Sequence, residues 1–372
     1  MTASAVTPRA PGARVLELES LRGLAALLIV IFHIPKWNPI LNVGFINHSF
    51  VMVDVFFVLS GFVIHESYGD RLHTLRDVGR FQFLRLGRLY TLHLLLLTGF
   101  LLVELLKLLA QVRWGVASPN TMPFRENSLE ALAQQVFLVQ AIGPTGHSKT
   151  YNGAAWSISV EFYTYLVFAW LVLRTGQRRP LVFAAMAALS ILALATREHH
   201  GFNELLRCWA GFFTGCLTSL ALRDRPLRVP APVPFVLLGL LLVFLQARGG
   251  PGLNTLIYPL TALLVVCLVS PQDHALKHVL RARPLVWLGT VSYSIYMAHP
   301  LIIWVANQAV RRLSGLPEAM LHRSSTPQMG AAPTLVASLA FVAATLLVSA
   351  VLYRWVEAPM REASRRFAAT RL

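Results

Sequence analysis

The chain is a succession of apolar runs, several close to the roughly 20 residues that cross a bilayer core, separated by short segments in which the charges collect. In lipid every backbone polar group must be bonded within the protein, and continuous rather than alternating apolar runs can do this only as helices. The expected fold is therefore an all-α polytopic membrane protein with about ten transmembrane helices, over roughly 15–35, 50–67, 89–108, 157–173, 180–196, 204–222, 232–247, 253–270, 286–308 and 333–353. A further segment, 128–142, carries Gln134, Gln135 and Gln140 and is expected as an interfacial or re-entrant helix. It belongs to a long stretch, 110–155, rich in Gly, Pro and Asn and expected to lie over the outer face. Residues 1–14 read as a flexible cytoplasmic leader, 15–357 as the membrane-embedded domain and 358–372 as a basic cytoplasmic tail.

Charge placement gives the orientation. Only 13% of the 372 residues are charged, about half the share of a soluble domain. The net charge of +16 would suit a nucleic-acid binder. The basic residues, however, sit in short clusters between apolar runs, as the positive-inside rule requires, and no nucleic-acid motif accompanies them. Nucleic acid is thus excluded as a partner and the lipid bilayer is the expected one. With the N-terminus inside, the inner segments hold 22 of the 33 lysines and arginines, so both termini are expected in the cytoplasm. The first apolar run contains His33 and is not followed by a small-residue cleavage site, which makes it a retained span rather than a signal peptide. Cys208, Cys216 and Cys267 lie inside apolar runs without a CxxC pair, and no His or carboxylate spacing suits zinc. No metal and no bound cofactor are expected.

Ionisable residues within spans are costly and are functional candidates. Arg22 and His33 are 11 positions apart, within about 20° of the same face of one helix and about 16 Å apart along it. They equally suit a snorkelling arginine and a histidine capping a carbonyl. Asp54, in an apolar run, needs a partner; at the outer side it would lie at the depth of His33, where a carboxylate fixes an imidazole tautomer and raises its basicity. Glu161, sharing a helix face with Ser157 behind an interfacial Trp156, is a second carboxylate for the same role. Ser60 next to Gly61 suits a close helix contact or a nucleophile. Arg85 and Arg88, i,i+3 neighbours at the start of the third span, can grip phosphates bidentately or serve as ordinary inner-side charge. Tyr293 and His299, the latter followed by Pro300, suit either a cavity wall or a kink with a satisfied histidine.

Taken in order, these blocks resemble the acyltransferase-3 family of bacterial membrane O-acyltransferases over nearly the whole chain. They are the Arg-x10-His of the first span (Arg22, His33), D-x-F-F-V-x-S-G-F (Asp54 to Phe62), R-x-x-R (Arg85, Arg88), W-S-x-S-x-E (Trp156 to Glu161), S-Y-x-I-Y-x-x-H (Ser292 to His299) and E-x-P (Glu357 to Pro359). The resemblance implies a ten-helix core in a bacterial inner membrane, with acyl-CoA as co-substrate at the cytoplasmic side and a sugar or glycosylated acceptor at the outer side. It further implies an essential His33, and Arg85 and Arg88 serving the acyl-CoA, where Arg22 joins them. The expected reaction is O-acylation, with acetyl-CoA the expected donor, His33 as base oriented by Asp54 or Glu161, and Ser60, Trp156, Ser157, Tyr293 and His299 lining the substrate path. A secondary transporter would also place charges in spans but would show inverted repeats, which this sequence does not; a glycan-binding partner without chemistry is the other class kept in view.

Overall fold

The computed structural model describes residues 15–116, 121–197, 200–223, 227–247, 250–321 and 324–371. The expected leader, 1–14, lies outside them. Thirteen helices carry the argument: α1 Leu16–His33, α2 Met52–Tyr68, α3 Leu75–Trp114, α4 Leu129–Val136, α5 Trp156–Thr175, α6 Arg179–Thr196, α7 Asn203–Arg223, α8 Val233–Gln246, α9 Ile257–Val269, α10 Arg283–Thr290, α11 Ser292–Ser314, α12 Ala331–Leu352 and α13 Ala358–Arg371. A small antiparallel hairpin, β1 Glu318–Leu321 and β2 Ser324–Pro327, follows α11.

A helix lies within each of the ten segments expected to be apolar spans. By length and composition six uninterrupted helical stretches can cross a membrane, or seven if α10 and α11, bent by 67°, count as one. That is fewer than ten for identifiable reasons. Helix α1 carries Glu17, Glu19 and Arg22, and α8 has only 14 residues. Helices α5 and α6 are joined by a single 3-10 turn. The protein is multi-pass and helical.

Between lipid-embedded helices there is little hydrophobic driving force, so close backbone approach and aromatic packing have to hold them together. Both occur around α7. A Cβ built on Gly61 of α2 would lie 1.8 Å from the Phe212 carbonyl oxygen of α7, and one on Gly215 of α7 would lie 2.0 Å from the Val58 oxygen of α2. Phe168 of α5, Phe183 of α6 and Phe212 and Phe213 of α7 are all buried, with ring centroids 5.4–6.0 Å apart. Gly23 and Gly289 repeat the backbone contact between α1 and α10. At the end of the bundle where α2 runs into α3, Asp70 is bonded by Arg223 at 2.6 Å and lies 3.6 Å from Arg179. The Arg223 bond, ahead of the nearby positive charges, holds the Asp70 carboxyl below its ordinary range. This clamp joins α2, α6 and α7, and its contribution is lost as pH falls through that carboxyl's lowered range.

The stretch expected to lie over the outer face instead folds inward. Beyond the short helix α4, capped by Ser128, residues 137–155 enter the bundle. The Asn152 side-chain amide donates to Met297 O of α11, Ser159 Oγ donates to Leu138 O, and Tyr296 of α11 donates to Ala154 O. Leu138 and Tyr151 take left-handed backbone angles to make the turns. Helix α5 therefore starts inside the protein. The last segment forms α13, joined to α12 by a π-helical turn at Tyr353–Glu357 and packed on α3 through Ser364 against Gly87 and Phe367 against Phe83.

Gly61→Val should abolish recovery of folded protein, because its side chain meets backbone rather than a movable group. Gly79→Ala, with nothing within 4 Å, should be neutral or stabilising by about 0.5–1 kcal/mol. Thermal unfolding in detergent checks both; equal melting of the two variants would contradict the backbone-contact account.

Candidate active site

Two connected cavities occupy the bundle. A vestibule of about 560 Å³ opens at the end where α1 and α3 begin and α2 finishes, and it also receives Tyr353, Glu357, Arg361 and Arg365 from the C-terminal segment. A narrower chamber, about 80 Å³, continues from it and is lined by Phe56, Ser60, Ser157, Glu161, Tyr165 and Tyr296. Arg22, Arg85, Arg88 and Tyr293 line both, so three guanidiniums from two helices stand at the junction. The i,i+3 spacing of Arg85 and Arg88 puts both on one face of α3, the face that lines the two cavities.

Few protein groups satisfy these arginines. Arg22 Nη1 reaches Glu19 at 3.4 Å, at the edge of bonding distance. Arg85 lies over the rings of Tyr68 and Phe81, at 5.5 and 5.7 Å, and its buried Nε has no partner among the described residues. Arg88 makes no hydrogen bond or ion pair among them. Glu357, its Oε2 accepting from Ser294 Oγ at 2.7 Å, shares the vestibule. Partly buried cations so sparsely paired call for an anionic ligand.

Glu161 belongs to this chamber. Its Oε1 accepts from Ser60 Oγ at 2.6 Å and from Tyr165 Oη at 2.5 Å. This corrects the expectation of a carboxylate at the depth of His33, and the reason is the inward fold of 137–155, which starts α5 below the surface. It also removes Trp156 from an interfacial belt: the ring is 8% exposed, edge-on to Phe57 and 4.9 Å beneath the Arg207 guanidinium. Ser157 and Tyr293 are chamber-wall residues, with Tyr293 anchored by Oη donation to Leu89 O at 2.5 Å.

His33 ends α1, away from the arginines. Its Nδ1 lies 2.9 Å from Ile29 O, which can only accept, so Nδ1 carries the proton and the neutral ring presents Nε2 as a base. The second neighbour of Nδ1 is Nε2 of the fully buried His299, at 3.3 Å. Pro300 leaves α11 unbroken. Tyr296 links the two ends: its ring lines the chamber, meets Phe56 at 5.8 Å and lies 5.9 Å from that of His299.

Asp54 does not orient His33. It is held by Arg207 of α7 through two bonds, Nε to Oδ1 at 3.0 Å and Nη2 to Oδ2 at 2.8 Å, and accepts from Tyr258 Oη at 3.2 Å. A bidentate guanidinium satisfies the carboxylate better than one imidazole N–H, and α2 lies against α7 along its length. Arg207 is not among the residues expected from the sequence, although an arginine inside the apolar run 204–222 is a visible signal. Tyr165, one turn after Glu161, was legible in the same way. Among the described residues no group of three or more metal-ligating side chains is gathered.

The family model for the acyltransferase domain matches residues 15–354. The chain belongs to the acyltransferase-3 family. It is 29% identical over 394 residues to the acyltransferase MdmB of Streptomyces mycarofaciens, covering 95% of this chain and 94% of the relative. It is 29% identical over 319 residues to BcsY of Komagataeibacter xylinus, named as a membrane-bound transacylase, with 80% and 75% covered. YrhL of Bacillus subtilis, named as a peptidoglycan O-acetyltransferase, is 26% identical over 326 residues, 77% of this chain and 48% of the relative. No solved structure matches. The protein is a membrane acyltransferase, which decides against the transporter.

Breaking the buried Asp54–Arg207 pair from one side should be costly, about 3–5 kcal/mol for Asp54→Ala, read as a lowered melting temperature in detergent. The double replacement Asp54→Leu with Arg207→Met should recover much of it. A double variant no more stable than the sum of the singles would contradict a structural pair.

Proposed function

We propose that this enzyme transfers an acyl group, acetyl in the first instance, from cytoplasmic acyl-CoA to a hydroxyl of a sugar, in a cell-surface or exopolysaccharide, a lipid-linked glycan or a glycosylated metabolite. The observation that carries the reading is the meeting of Arg22, Arg85 and Arg88 at the mouth of a chamber whose wall includes Tyr296, the ring neighbour of His299, which in turn contacts His33. Their sparse pairing suits the phosphates of CoA. The relatives, one of them named as a peptidoglycan O-acetyltransferase, support a glycan acceptor. The excess of arginine at the vestibule end supports a cytoplasmic vestibule and termini; the bacterial relatives support an inner membrane, and the ten helical segments would supply ten crossings.

The donor enters by the vestibule with its phosphates on the arginines, and its pantetheine arm extends into the chamber past Tyr293. Ser60, Glu161 and Tyr165 form a bonded wall beside it, while Phe56 and Tyr296 form the contact that the thioester passes to reach the histidines. The acceptor hydroxyl approaches from the other end. His33 Nε2 takes its proton as the oxygen attacks the thioester carbon. The new C–O bond forms, the C–S bond breaks, and the proton passes to the departing CoA thiolate. In this scheme Ile29 O and His299 hold the imidazole, the role expected of a carboxylate.

The test is transfer of label from [14C]acetyl-CoA to endogenous glycolipid or polysaccharide in inverted membrane vesicles. His33→Ala should lose about 10²–10⁴-fold of the wild-type rate, whereas Arg88→Leu should chiefly raise KM for acetyl-CoA. Equal labelling by wild type and His33→Ala would remove His33 from the chemistry. Wild-type vesicles inert with acetyl and longer acyl-CoAs, with glycan acceptors added, would overturn the donor assignment.

A further inference from the structure

Beyond the three arginines at the junction, the vestibule is walled by three more: Arg71, from the turn after α2, and Arg361 and Arg365 of α13. They line the outer cavity only and are absent from the chamber wall. Helix α13 reaches the vestibule through specific packing. The π-helical turn Tyr353–Glu357 directs both its end residues into the cavity, and Ser364 and Phe367 seat the next turns on α3. Arg361 and Arg365, i,i+4 on one face, then point to the same space as Arg22, Arg85 and Arg88. The cavity holds six arginines against three carboxylates, Glu19, Glu66 and Glu357. Two of those are already engaged by hydroxyls, Glu66 by Ser219 and Glu357 by Ser294. Arg361 has one long bond, 3.5 Å, to the Tyr353 hydroxyl, and Arg365 has no hydrogen bond or ion pair among the described residues.

We infer that Arg361 and Arg365, with Arg71, form the seat for the 3′-phosphate of the donor's adenosine, so that the C-terminal helix selects CoA thioesters over thioesters lacking that group. The inference rests on the CoA-donor reading and extends it. The order of the cavity carries it: groups nearest the pantetheine, the diphosphate, meet the arginines that line both cavities, and the far end of the same ligand meets those that line only the mouth. A terminal phosphate monoester brings about −1.5 to −2 of charge, which suits the excess of guanidiniums there. Tyr353 offers an aromatic face beside it.

The experiment compares acetyl-CoA with its 3′-dephospho analogue on full-length protein purified in neutral detergent, for wild type, Arg361→Ala/Arg365→Ala and the control Arg366→Ala. Arg366 pairs with Glu362 outside the cavity. Calorimetric titration with adenosine 3′,5′-bisphosphate accompanies it. Wild type should prefer acetyl-CoA by about 10–100-fold in KM. The double variant should lose most of that preference and most of the bisphosphate affinity, with kcat and the KM for the dephospho analogue little changed. Arg366→Ala should match wild type. The proposal is overturned if the double variant raises both KM values equally, if it lowers kcat alone, or if the bisphosphate binds it as well as wild type. It is overturned too if the double variant differs from wild type only in binding vesicles of anionic lipid, which would make α13 a headgroup contact. A wild type inactive with every acyl-CoA that still binds the bisphosphate through Arg361 and Arg365 would sink the donor reading and keep this site. Absence of bisphosphate binding in an active wild type would sink this site and keep the donor.

Discussion

The close contact of α2 with α7 is the constraint on which the rest of the protein depends. Glycines at 61, 211 and 215 let two backbones meet where water offers no help in holding helices together. Every other placement follows from it. With α2 against α7, Asp54 falls within reach of Arg207, and the two charges satisfy each other instead of a catalytic histidine. On another face of α2, Ser60 is turned to α5 and meets Glu161 and Tyr165. A single rigid pair of helices thus sorts the two polar residues of one motif, Asp54 and Ser60, into a structural bond and a chamber wall.

Much of the fold was legible because lipid leaves a chain few choices. Apolar runs must be helical, and each of the ten expected segments is helical, although only six or seven stretches are long and apolar enough to cross a membrane. The arginines at 22, 85 and 88 were legible for the same reason: a charge in an apolar run needs a destination, and two on one helical face share it. What escaped the sequence was whatever depends on depth. Glu161 was placed with His33 on the assumption that α5 begins at the surface, and the inward fold of 137–155 moves it. Nothing local announces that fold; it is held by side chains bonding carbonyls far along the chain, such as Asn152 to Met297. The Asp54 partner failed for another reason. A carboxylate in an apolar run demands a partner without naming one, and Arg207 was 153 positions away.

On the proposed reading, the pairing of His33 with His299 sets a base without a carboxylate. A backbone carbonyl fixes the proton on one nitrogen, and a buried neutral ring holds the plane. The arrangement keeps fixed negative charge away from the imidazole among the described residues, in contrast to the chamber on the far side of Tyr296, where Glu161 stands near three arginines. The arginine-lined cavities and the paired histidines are therefore chemically distinct environments, one cationic and one without fixed charge.

Helix α3 also serves as a ruler. Leu75 apart, its exposed large apolar side chains begin at Leu95 and end at Trp114, a rise of about 29 Å, which matches the thickness of a hydrocarbon core. The half bearing Arg76, Arg80, Arg85 and Arg88 lies on one side of that band. The charged mouth of the vestibule then sits at headgroup level, and a water-soluble donor can dock from the aqueous phase with its most polar part never entering oil. On the CoA-donor reading the bilayer needs no thinning to admit it, and only the uncharged arm of the molecule would travel deeper.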